Sequence, residues 1–323
     1  MRRVAFFALL MTLAAVHAAA AQPSSWPDRP IHLIVPFPAG SSSDIVARIV
    51  AQNLSARLGQ QLVVENRPGA SGNLGTEAVA HAAADGYTLG LANTSTHTLS
   101  PSLMAHPAYD PLKDFAPISM IGASPFVLAL HPGVPAKTVP ELIALAKTKP
   151  GKLTFASAGP ATLANLAGVL FAKTAKIELT PVSYRGSGQE ILDVVAGRID
   201  MAFATIPPTL PLIRDGKVRA IAVTGPQRSP ALADVPTVAE SGLPGYESVL
   251  WQALYAPAGT PAPIVTRLNA EVNAILHDSA AVGALAKLGV EAQPSTPQQF
   301  ADRIAADLKK WHDVIVSAGI QPQ

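Results

Sequence analysis

Apolar positions along the chain alternate between two rhythms. The run Ile31-His32-Leu33-Ile34-Val35 is short and β-branched, and it stops at Pro36-Phe37-Pro38-Ala39-Gly40. It predicts a buried strand followed by a loop. Ile45, Val46, Ile49, Val50, Leu54 and Leu58 then recur at helical spacing, with Ser42, Ser43 or Asp44 as the N-cap and Gly59 as the stop. The same strand-loop-helix order returns at 62–65 with a helix after Gly72, and again at 87–92 before the polar loop Asn93-Thr94-Ser95-Thr96-His97-Thr98. Beyond the middle it restarts. Residues 153–156 form a strand, Ser157-Ala158-Gly159 a tight loop, and Leu163, Leu166, Ala167, Leu170 and Phe171 one helical stripe. Strands at 182–184, 200–203 and 218–223 follow, with a helix carrying Ile191, Leu192, Val194 and Val195. Strands alternating with helices predict parallel sheets.

Two long extended stretches, 118–130 and 248–256, separate these blocks, and two amphipathic helices are predicted at 264–275 and 297–316. The pattern implies two α/β domains joined by two extended hinge crossings: residues 22–122 with 251–323, and residues 123–250. Open parallel sheets bind ligands at the carboxyl ends of their strands, so the expected site is the cleft between the domains.

Composition removes several chemistries. The 323 residues include no cysteine, 49% are apolar and 14% charged. Disulfides, thiolate nucleophiles and cysteine-held metals are excluded together. Residues 1–21 have the form of a secretory signal: Arg2 and Arg3, an apolar run from Val4 to Val16 broken by Thr12, then small residues, with cleavage expected near Ala21-Gln22. Its apolar run spans only about 20 Å of helix, short of the roughly 30 Å hydrocarbon layer. No cysteine stands at the cut to take a lipid. Without the leader, 24 − 2 = 22 basic residues balance 22 acidic ones, which leaves no electrostatic footprint for nucleic acid. A periplasmic protein, folded without disulfides, is the expectation.

The loops between strand ends and helix starts carry the candidate chemistry. Unpaired N–H groups and the helix dipole favour an anion there, and Gly40 with Ser41, Ser42 and Ser43 permits close approach. Ser157-Ala158-Gly159 offers the same from the other domain. Each loop alone also fits ordinary turn and cap residues; it is their facing across a hinge that favours binding. Asp44 is either a helix cap or a ligand contact, and Arg185 either meets a carboxylate or pairs at the surface. Arg67 borders a glycine-rich turn at Gly69, Gly72 and Gly75 that matches neither dinucleotide nor phosphate-loop spacing. There is no G-x-S-x-G or H-E-x-x-H, and the eight histidines fall in no metal-ligand spacing. His97 is the one histidine assigned to a cleft-side loop, so a hydrolase built from cleft serine and histidine stays as an alternative. A receptor reporting to a signalling kinase is another.

Taken together, 36–44, Glu65-Asn66-Arg67-Pro68-Gly69-Ala70-Ser71-Gly72-Asn73-Leu74-Gly75, Asp85-Gly86-Tyr87-Thr88-Leu89, Phe155-Ala156-Ser157-Ala158-Gly159, Tyr184-Arg185-Gly186, Asp234-Val235-Pro236-Thr237 and Ala256-Pro257-Ala258-Gly259-Thr260-Pro261 resemble the Bug-type receptors. These are the TctC-like extracytoplasmic solute-binding proteins of tripartite tricarboxylate transporters. The resemblance covers essentially the whole mature chain. It implies a Venus-flytrap fold, a carboxylate ligand, delivery to membrane permease subunits, no catalysis and no cofactor, in a monomer. Carried over by position, it implies first-domain contacts at Phe37, Ala39, Gly40, Ser41, Ser42, Ser43, Thr94, Ser95 and Thr96. The second-domain contacts fall on Ser157, Ala158, Gly159, Thr162, Tyr184, Ala204 and Thr205. Four positions depart from the family pattern: Ser41 replaces a usual glycine, Pro160 and Asn165 replace a polar residue and a histidine, and Ala204 stands where some members carry an acid for an amino-acid ligand.

Overall fold

The computed structural model describes residues 26–157, 162–184, 189–317 and 319–320. In chain order the first half contains β1 (Ile31–Val35), α1 (Ser42–Leu58), β2 (Leu62–Asn66), α2 (Asn73–Ala80), β3 (Thr88–Asn93), α3 (Ser100–Leu103), β4 (Phe115–Leu130) and α4 (Val139–Thr148). There follow β5 (Thr154–Ser157), α5 (Leu163–Ala175), β6 (Thr180–Ser183), α6 (Gln189–Val195), β7 (Met201–Thr205), α7 (Ile206–Arg214) and β8 (Arg219–Val223). The chain closes with β9 (Val249–Pro257), α8 (Ala262–Ile275), α9 (Ser279–Lys287), β10 (Glu291–Ala292) and α10 (Pro297–Ser317).

The strand order β2-β1-β3-β9-β4-β7-β5-β6 runs through both lobes, with β8 and β10 also paired to β4. Within each lobe the strands followed by helices are parallel, as the alternation predicts: β1 with β2 and β3, and β5 with β6 and β7. The crossing strands are antiparallel to their neighbours. The two apolar stretches within 118–130 form one strand. The first part of β4 pairs with β9, and residues 126–130 pair with β7 and β8, so a single strand belongs to both sheets.

Each sheet is covered on both faces. In the first lobe Val46, Val50 and Leu54 of α1 pack with Leu268 of α8 and Leu285 of α9 against Leu33, Leu91 and Leu254. The opposite face carries Trp251, Tyr255 and Phe115 against Phe300 and Ile304 of α10. In the second lobe Leu166 and Phe171 of α5 pack with Phe155, Phe203 and Leu128, and Val194 and Ile206 lie on the other side. The C-terminal helix serves both lobes, because Trp311, Val314 and Ile315 join the second-lobe core while Phe300 and Ile304 stay with the first.

Two threonines hold the crossing strands together. The Thr224 hydroxyl donates to the carbonyl of Ser248 at 2.6 Å and accepts the N–H of Phe126 at 2.8 Å. On the first-lobe side the Thr94 hydroxyl donates to the Val249 carbonyl and accepts the Trp251 N–H at 3.0 Å. Both lock β9 in place. Among the described residues, no helix is long and apolar enough to cross a membrane.

Candidate functional site

The loop leaving β1 is shaped by Gly40, whose φ of +80° lies in the left-handed region that glycine adopts without strain. Ser41 is the α1 N-cap with extended backbone, and its hydroxyl accepts the Asp44 N–H at 3.3 Å. A serine therefore fits where the family usually has a second glycine, and its hydroxyl serves the cap. Asp44 is 2% exposed and braces the whole loop. It accepts the Gly40 N–H at 2.8 Å, Asn66 Nδ2 at 2.9 Å and the Arg48 guanidinium at 3.1 Å, while Asn66 also donates to the Phe37 carbonyl. Burial alone would raise this carboxyl. The hydrogen bonds from Arg48, Gly40 and Asn66 outweigh burial and hold it below the usual carboxylate range.

That network decides which donors face a ligand. The Gly40 N–H is spent on Asp44, whereas the N–H groups of Ser42 and Ser43, at the open end of α1, have no acceptor among the described residues. Ser42 is exposed and Ser43 buried. Ala39 is exposed, and Phe37 packs half-buried on the α1 core.

The loop after β3 is more inward than its polarity suggests. It winds as a π-helical turn, Ser95–Leu99. Thr94 and Thr96 are fully buried, the first clamping β9 as above, the second bonded to Asn93 and to Nδ1 of His97. Only Ser95 is partly accessible, beside Ser71 and Asn73 in a cavity of ≈ 210 Å³. Gly72 lets these loops nest, since a Cβ there would stand 2.7 Å from the Thr96 methyl and 3.2 Å from the Phe37 ring. Arg67 pairs with Glu65 at 2.9 Å.

His97, expected at the cleft, is 0% exposed inside a cage of Tyr109, Phe115, Trp251 and Tyr255, with ring centroids 4.7 to 6.5 Å away. Burial drives its pKa down to about 3. A histidine sealed from the cleft cannot take a proton from a cleft serine, so the hydrolase reading loses its general base.

In the second lobe, Ser157 ends β5 in register with Ser183. Its side chain, together with Ala158, Gly159, Pro160 and Arg185, lies outside the described residues. Thr162 caps α5 by accepting the Asn165 N–H at 3.3 Å. The Tyr184 phenol donates to Asp193 at 2.8 Å, and burial, then the Asp193 carboxylate, push it up to about 12. Ala204 packs its methyl into the lobe core with Val127 and Ala129, whereas Thr205 is exposed at the α7 N-cap with its hydroxyl making no cap bond.

Across the gap the lobes meet around a cleft of ≈ 270 Å³. Ser42 and Ile45 line it from α1, Thr205 to Pro208 from α7, Ser124, Pro125 and Leu250 from the crossing strands, and Lys287 and Leu288 from the end of α9. Thus Ser42 and Thr205, predicted from loops far apart in sequence, share one cavity. Sequence reasoning missed the crossing-strand and α9 contributions, which carry no local motif. Lys287 is exposed and makes no ion pair with the described residues. The cavity therefore offers three hydroxyls, the unpaired N–H groups of a helix terminus, one cation and a mostly apolar wall. No cluster of three potential metal ligands occurs among the described residues.

The chain is similar to known proteins along most of its length. The model of the tripartite tricarboxylate transporter family receptor matches residues 46–320. Protein BugT of Bordetella pertussis is 38% identical over 303 residues, covering 94% of this chain and 93% of its own. Among solved structures, R. palustris Rpa4515 with adipate is 35% identical at a TM-score of 0.76, covering 92% of this chain and 100% of that one. MatC from Rhodopseudomonas palustris, with bound malate, is 34% identical at a TM-score of 0.71, covering 90% and 100%. By the family model and the identity it shares with these relatives over nearly its whole length, the chain belongs to the receptor family of the tripartite tricarboxylate transporters.

Proposed function

We propose that the chain captures a small organic carboxylate in the interlobe cleft, in the periplasm after loss of its leader, and hands it to the membrane permease subunits of a tripartite transporter. The observation that carries this is the convergence of Ser42, at the unpaired amino end of α1, with Thr205 on one cavity. The relatives with bound adipate and malate support the ligand class. The lobes are residues 22–122 with 251–323, and 123–250, the last helix reinforcing both. The binding surface comprises the 39–43 loop, Ser95, the 157–162 loop and Thr205; Thr94, Thr96 and Tyr184 position their neighbours through the bonds described above. The protein acts as a monomer and by binding alone.

The energetics suffice. Micromolar affinity requires about 8 kcal/mol, and hydrogen bonds to a charged group contribute roughly 1.5 to 3 kcal/mol each. Two N–H groups, the hydroxyls of Ser42 and Thr205 and the apolar wall reach that range without an arginine clamp. A thermal-shift screen of organic acids tests the reading. Acid at about a hundred times its dissociation constant stabilises by about 2.7 kcal/mol, a shift of several degrees. Carboxylates are the expected hits, and Ser42→Leu, which crowds the free N–H groups, should weaken them at least tenfold. A screen in which no acid shifts the melting point contradicts the proposal.

A further inference from the structure

β9 carries an unexplained buried amide. Gln252 is 0% exposed, yet neither its Nε2 nor its Oε1 has a hydrogen-bond partner among the described residues. Its register places it opposite Asn93 of β3 and Gly122 of β4. The first spends its side-chain oxygen on Thr96, and the second has no side chain. Alternation along the strand puts Leu250, Gln252 and Leu254 on one face of the sheet. Leu250 and its cross-strand partner Ser124 line the interlobe cleft. Gln252 therefore stands on the cleft-side face, one cross-strand pair below the lining. Two residues before Leu250, Ser248 is equally buried and its hydroxyl also lacks a partner among the described residues. Two orphaned polar groups thus bracket the one apolar side chain that β9 gives to the cleft.

Buried polar groups in folded proteins are almost always paired, so this arrangement calls for a group that arrives with the ligand. A primary amide both donates and accepts. An ionised carboxylate only accepts and would leave Oε1 unpaired, whereas an alcohol answers both atoms. We propose that Gln252 is a specificity-determining residue that selects acids bearing a hydroxyl group over their deoxy counterparts, with Ser248 extending the same polar floor. The inference rests on the carboxylate reading above and narrows it to hydroxycarboxylates. Such a site discriminates strongly, because the analogue lacking the hydroxyl leaves buried groups unsatisfied.

The test is calorimetric titration of two matched pairs, malate with succinate and 3-hydroxybutyrate with butyrate, against the full mature protein and its Gln252→Leu variant. A Gln252→Met variant substitutes if the leucine form does not fold. The parent should bind the hydroxylated member of at least one pair tenfold or more tighter. The apolar variant should lose that preference while its affinity for the deoxy member changes less than about threefold. A purely structural glutamine would instead move both members alike. Equal binding of hydroxylated and deoxy acids by the parent, or a common loss in the variant, overturns this inference alone. Failure of every acid to bind overturns the carboxylate reading, and this inference with it.

Discussion

At the scale of single residues, position in the fold decides which polar groups are available. Asp44 and Ser41 share one loop with Ser42, yet the first two are consumed in bracing it and only the third faces the cleft. Thr94 and Thr96 look like ligand donors in sequence; the Thr94 hydroxyl is spent on the β9 backbone at Val249 and Trp251, and that of Thr96 on the backbone of Asn93 at the end of β3. His97 gives a measurable consequence. Its folded pKa of about 3 lies below the ordinary value of 6.5, so the unfolded chain takes up the proton first as pH falls. Stability from the neutral ring is complete above pH 6.5 and is lost on the way down to about 3, with a slope approaching 1.4 kcal/mol per pH unit. Moving from pH 7 to pH 5 should therefore destabilise the parent about 2 kcal/mol more than His97→Gln. Denaturant midpoints at the two pH values check this, and equal losses in both proteins would refute it.

Among elements, α10 joins the lobes alongside the crossing strands. Phe300 and Ile304 bury against the first, Trp311 and Val314 against the second, and Asp307 lies between them, 3% exposed. Its carboxylate accepts from Trp251 Nε1 and Arg303, both at 2.8 Å, and pairs with Lys310 at 2.9 Å. Arg303 also reaches Glu247, just before β9. Burial would raise the Asp307 carboxyl, but the Lys310 and Arg303 charges prevail and lower it. Removing one partner from a buried charge network typically costs about 3 to 5 kcal/mol. Asp307→Leu, which strands the buried Trp251 N–H and leaves Arg303 with Glu247 alone, should cost that much in urea unfolding. A loss below about 1 kcal/mol would show that α10 is held by its apolar face alone.

For the whole molecule, the lobes and the crossing strands were readable because each strand-helix unit is built from contiguous residues. Ile31 to Leu58 shows this: a β-branched run, a glycine turn and a helical stripe leave little room for another local structure. Features set by tertiary contact were not readable. The extended stretch at 118–130 was legible across Gly122-Ala123-Ser124-Pro125, but its pairing with β9 along one part and with β7 and β8 along the other was not. α9, a short helix with Gly283 inside it, escaped because its buried positions are few, and it packs on α1. The cleft followed the same rule. Ser42 and Thr205 stand at predicted strand-end loops, whereas Ser124, Leu250, Lys287 and Leu288 reach the cavity only through the chain crossing twice between lobes.

The most direct examination of this picture is a crystal structure of the mature protein with an acid that raises its melting temperature. The account predicts electron density for the acid between α1 and α7, one carboxylate oxygen within hydrogen-bond distance of the Ser42 or Ser43 N–H and Thr205 on the opposite wall. An acid lodged outside the interlobe cleft, or held there with its carboxylate turned away from the amino end of α1, would contradict it.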